Sequence, residues 1–127
     1  MVQSQNTKVD LTIRATSYHG ISTYGDMMVG DKAVEFYNEK NKADFIQIPW
    51  NEVDQVAASV IFGKFIPRFV VMTKQNGNYS FSTRDNKKTL RAMRPYVGED
   101  NLVRSPSFFG VLKLGIQSLF RIGKKKA

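Results

Sequence analysis

The chain of 127 residues has no cysteine and a single histidine, His19. The first absence removes a disulfide framework, a thiol nucleophile, a zinc ribbon and an iron–sulfur site. The second removes most metal cages and leaves any imidazole chemistry to His19 alone. Long hydrophobic runs are missing as well. The longest, residues 56–62, is seven residues including Ser59, against the roughly twenty that span a bilayer. The opening MVQSQNTKVDL has neither the basic start nor the apolar run of a secretory signal. These readings predict a cytoplasmic protein, peripheral at most, at the inner face of the cell membrane.

Catalytic and ligand-binding motifs are absent too. There is no Gly-x-Ser-x-Gly elbow, no Gly-x-x-x-x-Gly-Lys phosphate loop and no Asp-x-Asp-x-Asp-Gly calcium loop. His19 sits in Ser17-Tyr18-His19-Gly20-Ile21, at a strand end without the Arg or Ser pair that would mark a phosphoryl-acceptor loop. It reads as a structural or surface histidine. Glu52 and Asp54 read as a solvated strand edge beside Trp50. The expectation is a non-enzymatic protein with no catalytic, cofactor-binding or metal-binding residues.

Apolar residues make up 42% of the chain and charged residues 24%, the balance of a folded domain and not of a disordered one. Charge is divided unevenly. Residues 1–60 hold five basic and eight acidic side chains, a net −3; residues 61–127 hold fourteen basic and three acidic, a net +11. The positive field of the second half calls for an anionic partner.

Residues 9–83 alternate between apolar-polar runs and turn residues, the pattern of short strands. Runs at 9–15, 27–30, 33–37, 45–48, 53–62, 69–73 and 79–82 predict seven strands, the last two joined by Gln75-Asn76-Gly77-Asn78. Asn-Gly is a strong hairpin signal. Asp85 then caps a predicted helix with Leu90, Met93 and Val97 on one side and Lys87, Lys88, Arg91 and Arg94 on the other. Pro95 disturbs its last turn and Gly98 ends it. Seven strands in so short a stretch form a meander suited to a barrel or to two packed sheets. The expected organisation is that β domain with its capping helix over 1–98, a barrel by the resemblance given below, then a linker and basic amphipathic helix over 99–127.

At about 100° per residue, Phe108, Phe109, Val111, Leu112, Ile116, Leu119, Phe120 and Ile122 fall in one half of that second helix. Gly110, Lys113, Gln117, Ser118 and Arg121 fall opposite, with Leu114 out of place among them, and Lys124, Lys125 and Lys126 follow. An interfacial helix has this form. Its apolar face can dock on the protein's own barrel or on an external surface. Lys113 and Arg121 argue against a spanning helix. Against an anionic leaflet the five cations would add roughly 3–5 kcal/mol at about 1 kcal/mol each. Candidate membrane or partner contacts are therefore Phe108, Phe109, Leu112, Lys113, Ile116, Leu119, Phe120, Arg121 and the three lysines. A second candidate is the loop Gly63-Lys64-Phe65-Ile66-Pro67-Arg68, where Lys64, Phe65, Ile66 and Arg68 either contact a partner or form an ordinary hairpin tip.

Seven strands followed by one helix resemble the pleckstrin-homology/GRAM-like barrel. Ile46-Gln47-Ile48-Pro49-Trp50-Asn51-Glu52-Val53 is similar to a strand crossing in bacterial domains of that superfamily. A wider resemblance rests on Val2-Gln3-Ser4, on Asn6-Thr7-Lys8-Val9-Asp10-Leu11-Thr12 and on residues 46–50. Ile66-Pro67-Arg68-Phe69, Val103-Arg104-Ser105 and Phe108-Phe109 also carry it. Together these resemble a small family of unknown function encoded beside mannose-type sugar phosphotransferase systems and labelled as mannose-operon regulators.

That resemblance implies an accessory or regulatory protein of such a transporter, with its membrane-embedded subunits or the anionic membrane surface as partner. The other reading is a DNA-binding regulator of the transport operon. Against it, no helix-turn-helix pair is visible and the second helix is mainly apolar, so specific nucleic acid is not expected. A small-molecule sensor is a third class. The sequence carries no signal for oligomeric state.

Overall fold

The computed structural model describes residues 3–105. The strands are β1 (Val9–Ser17), β2 (Thr23–Gly30), β3 (Ala33–Asn38), β4 (Phe45–Pro49), β5 (Val53–Ile61), β6 (Phe65–Thr73), β7 (Asn78–Thr83) and β8 (Leu102–Ser105). One helix, α1 (Asn86–Val97), follows β7. All seven expected strands and the first expected helix are present. Short 3-10 turns occupy Trp50–Glu52 and Glu99–Asn101. Glu52 thus lies on a turn and not on a strand beside Asp54.

The strands form one sheet in the order β4-β3-β2-β1-β7-β6-β5-β8. Neighbours are antiparallel except β5 and β8, which run parallel from Val56 beside Leu102 to Ser59 beside Ser105. The sheet is mixed, has eight strands and does not close, which corrects the expectation of a seven-stranded barrel. The eighth strand lies in the segment read as a linker. Four residues, Leu-Val-Arg-Ser, are too few to display a period of two.

The sheet opens at one corner. β4 ends at Pro49, and the chain turns through Trp50–Glu52 before β5 begins. That corner is pinned in place. Trp50 donates its backbone N–H to Lys32 O at 3.0 Å and its indole N–H to Gly30 O at 2.8 Å, and its ring stacks on Tyr96 of α1. Held there, β4 stays an edge, and β5 pairs with β6 and β8 instead.

The sheet curls strongly all the same. Phe36 on β3 reaches within 6.0 Å of Phe81 on β7, although two strands lie between them in the sheet order. Met27, Val29, Val56, Phe69, Val71 and Phe81 are fully buried inside this curl. α1 covers it with Leu90, Met93 and Val97, the three positions expected from their spacing. The Asp85 carboxylate accepts from Lys88 N at 3.1 Å, and Gly98, at φ 89°, ends the helix.

An N-terminal strap is the feature that periodicity could not predict. Glu35 on β3 is 1% exposed, and its carboxylate accepts from the Ser4 hydroxyl at 2.6 Å and Gln5 N at 2.7 Å. Asn6 Oδ1 accepts from both Lys32 N and Ala33 N at 2.8 Å. Asp31 accepts from the backbone N–H groups of Thr7 and Lys8 and from the Thr7 hydroxyl. Gly30 is required for this approach, since a Cβ there would lie 2.3 Å from the Asn6 side chain. The strap gives Ser4, Asn6, Thr7 and Lys8 a structural role.

Candidate interaction surface

The hairpin joining β5 to β6 projects two exposed phenylalanines. Phe62 is 92% exposed and Phe65 58%, with Ile61 also exposed beside them. Phe62 and Gly63 both have positive φ, 56° and 77°, and Lys64 N bonds back to Ile61 O at 3.2 Å. Two such residues make a mirror-image turn that suits the right-handed twist of a hairpin. Glycine adopts it freely, but a phenylalanine in the left-handed region is strained by roughly 1–2 kcal/mol. Almost no packing repays that strain, because the ring is in solvent.

The loop candidates divide around this tip. Lys64 and Phe65 are exposed on it. Ile66 turns inward and packs on the core margin. Arg68 lies further along β6, where its guanidinium stacks over the Tyr18 ring at 4.6 Å. Phe62, absent from the sequence-based candidates, is the most exposed apolar residue of the group. The signal was a bulky aromatic directly before Gly63; it went unused because Phe62 reads equally well as the last residue of an apolar strand.

β8 runs parallel to β5 and ends with Ser105 beside Ser59, two residues before Ile61. The described chain therefore ends at the side of the sheet that carries the tip. Phe108, Phe109, Leu112, Lys113, Ile116, Leu119, Phe120, Arg121, Lys124, Lys125 and Lys126 lie outside the described residues.

A second region is a cleft of about 720 Å³ between edge strand β4 and the β6–β7 hairpin, lined by Ser17, His19, Phe45, Gln47, Glu52 and Tyr79 among others. The His19 ring lies against Tyr79 with centroids 4.5 Å apart. Among the described residues its ring nitrogens have no hydrogen-bond partner, so nothing there couples it to a base or a nucleophile. No three His, Asp or Glu side chains gather to hold a metal ion among the described residues. No helix among them is long and apolar enough to cross a membrane.

The family match extends over residues 1–116, most of the chain, and its description is "Domain of unknown function (DUF956)". The chain belongs to this family. DUF956 thus takes in the strap, the whole sheet, α1 and the tip. No curated protein matches the chain. Among solved structures, the C-terminal domain of an unknown protein from Leishmania infantum is similar, with a TM-score of 0.62 and 13% sequence identity. The similarity covers 71% of this chain and 84% of that one. At that identity the likeness concerns the fold alone.

Proposed function

We propose that this DUF956 protein is a non-enzymatic accessory module working at the inner face of the cell membrane. There it regulates a mannose-type sugar phosphotransferase transporter. The observation that carries the membrane reading is the tip. A strained Phe62, with Phe65 and Lys64, is displayed where β8 delivers the start of residues 106–127. That segment holds five Lys or Arg, no Asp or Glu, and the half-apolar pattern of an interfacial helix. Aromatic side chains flanked by cations suit a bilayer interface, the rings at the level of the headgroups and the cations facing anionic lipid. The transporter as partner rests on the sequence resemblance alone. The strand order and the packing of α1 support placing the sheet near the pleckstrin-homology/GRAM-like architecture, opened between β4 and β5.

Co-sedimentation of the full chain with vesicles of mixed phosphatidylcholine and phosphatidylglycerol tests this. Wild type is expected to pellet, and Phe62→Asp or Phe109→Asp to remain largely in solution. Native membranes enriched in the transporter should retain the protein at salt that strips it from lipid alone. Failure of the full chain to bind either membrane would sink the proposal. A footprint on a single promoter that survives about 200 mM salt would favour a DNA-binding regulator instead.

A further inference from the structure

Between α1, β8 and the base of the β5–β6 hairpin lies a second cleft, of about 440 Å³. Five cations line it: Lys64, Lys87, Arg91, Arg94 and Arg104. No Asp or Glu is among its lining residues. Its floor is apolar, with Ala58, Val60, Ile66, Leu90 and Leu102. We infer that this cleft is a binding site for a phosphate-bearing ligand, either the headgroup of an anionic lipid or a small soluble phosphorylated molecule.

The first argument is charge left without compensation. Lys87, Arg91 and Arg94 follow at spacings of four and three on α1, which places them along one side of the helix. Like charges at those spacings destabilise a helix, and Asn86–Val97 contains no acidic residue to offset them. The three ion pairs among the described residues, Lys8–Asp10, Arg14–Asp26 and Arg14–Glu39, all lie elsewhere. Cations brought together from a helix, a strand and a hairpin, with no acidic side chain among the described residues lining the cleft, form a field that an anion would relieve.

The second argument is positioning. Arg104 Nη2 donates to Gly63 O at 3.1 Å, which fixes the guanidinium across the gap between β8 and the hairpin. A held guanidinium loses less freedom on meeting a phosphate, and its planar fork suits two phosphate oxygens at once. The third argument is what the rest of the chain offers. Residues 106–127 contain no Asp or Glu, so the chain's own C-terminal segment has no carboxylate side chain with which to neutralise the cleft. The volume suits a headgroup or small phosphoester and not a length of duplex. The apolar floor suits the glycerol or other carbon carrying the phosphate.

The experiment uses the full chain and two probes. Inorganic pyrophosphate is titrated calorimetrically, and vesicles of phosphatidylcholine with and without phosphatidic acid are tested by co-sedimentation. The cleft variant is Arg91→Gln with Arg104→Gln. A control of equal charge change, Lys40→Gln with Lys42→Gln, alters the β3–β4 loop. Pyrophosphate is expected to bind with one-to-one stoichiometry, and the cleft variant to weaken it about tenfold or more. The control is expected to change binding by less than about twofold. Because Arg104 also holds the hairpin, Lys87→Gln with Arg94→Gln, on exposed helix positions, provides a second reading should the first variant lose its circular dichroism signature.

Cleft-dependent binding of both probes assigns the site to a lipid headgroup; pyrophosphate binding without cleft-dependent vesicle binding assigns it to a soluble ligand. No binding of either probe overturns the inference. So does equal weakening by the control, which would make the effect a property of net charge. Displacement of pyrophosphate by duplex DNA at far lower concentration would also overturn it, in favour of a nucleic-acid face. The soluble arm does not depend on the membrane reading, and Phe62→Asp should leave it unchanged, so the two proposals fail separately.

Discussion

Phe62 holds a backbone conformation that favours glycine or asparagine, and its ring gains almost nothing from the fold in return. Phe62→Asn should therefore separate stability from attachment. Thermal unfolding is expected to show a variant as stable as wild type or up to about 1 kcal/mol more so, while its vesicle binding falls. A clear loss of stability would mean that the ring packs on something in the folded chain. His19 makes the opposite point. Its position against Tyr79, without a hydrogen-bonded base, predicts that it accepts no phosphoryl group. Incubation with phosphoenolpyruvate and the general phosphotransferase proteins should leave the chain unlabelled, and stoichiometric label lost in His19→Ala would refute this.

Asp31 is the residue with a legible pH dependence. The Thr7 hydroxyl, then the backbone N–H groups of Lys8 and Thr7, hold its carboxyl at about 2, below its ordinary 3.8. A depressed carboxyl stabilises the folded state above its unfolded value and loses that contribution as pH falls through its folded value. The strap should therefore be fully held above about pH 4 and weaken on descent toward pH 2. Hydrogen exchange at the Thr7 and Lys8 amides measures this directly. In Asp31→Asn the change in protection across that window should vanish.

At the scale of elements, the strap behaves as a ninth component of the sheet though it pairs with no strand. Glu35 is its anchor, a buried carboxylate served by Ser4, Gln5 and Asn6 and by no cation among the described residues. Glu35→Ala would strand these donors, at about 1–3 kcal/mol for each that stays buried without a partner. Denaturant unfolding should show a loss in that range, and deleting residues 1–7 should cost more. The deletion also removes the bonds from Lys32 N and Ala33 N to Asn6 and from Thr7 to Asp31, and leaves the Glu35 carboxylate without its donors. A Glu35→Ala variant as stable as wild type would mean the strap is not part of the folded unit. α1 depends on its cap in the ordinary way, and Asp85→Ala should cost about 1 kcal/mol.

At the scale of the whole molecule, the proposed function predicts that folding and attachment divide near Ser105. β8 covers the outer edge of β5, with Leu102 packed against the core. A chain ending at 105 is expected to unfold cooperatively and to lose most membrane association. A chain ending at 98 also loses β8, uncovers the β5 edge, and should be less stable and more prone to aggregate. If the chain ending at 105 is unfolded, residues 106–127 belong to the core and the attachment reading fails. Replacing Lys124, Lys125 and Lys126 by Gln should weaken membrane binding only in part, and most at low salt.

Local chemistry determines seven of the eight strands and the helix. Alternation marked seven strands, Asn76-Gly77 marked a hairpin, and Asp85 with the spacing of Leu90, Met93 and Val97 marked the helix. These are properties of neighbouring residues, so a linear reading reaches them. The sheet's failure to close was not among them. It depends on Trp50 meeting Gly30, Lys32 and Tyr96, partners 18 to 46 positions away, and such contacts leave no period in a sequence. Nor was the cationic cleft legible. The excess charge of the second half was plain, but Lys64, Lys87, Arg91, Arg94 and Arg104 become one site only when β8 lies beside β5 and α1 covers the curl. Sequence determined which residues are charged or apolar and how each short segment bends. Tertiary structure decided which of them share a surface, because that depends on contacts between segments far apart in the chain.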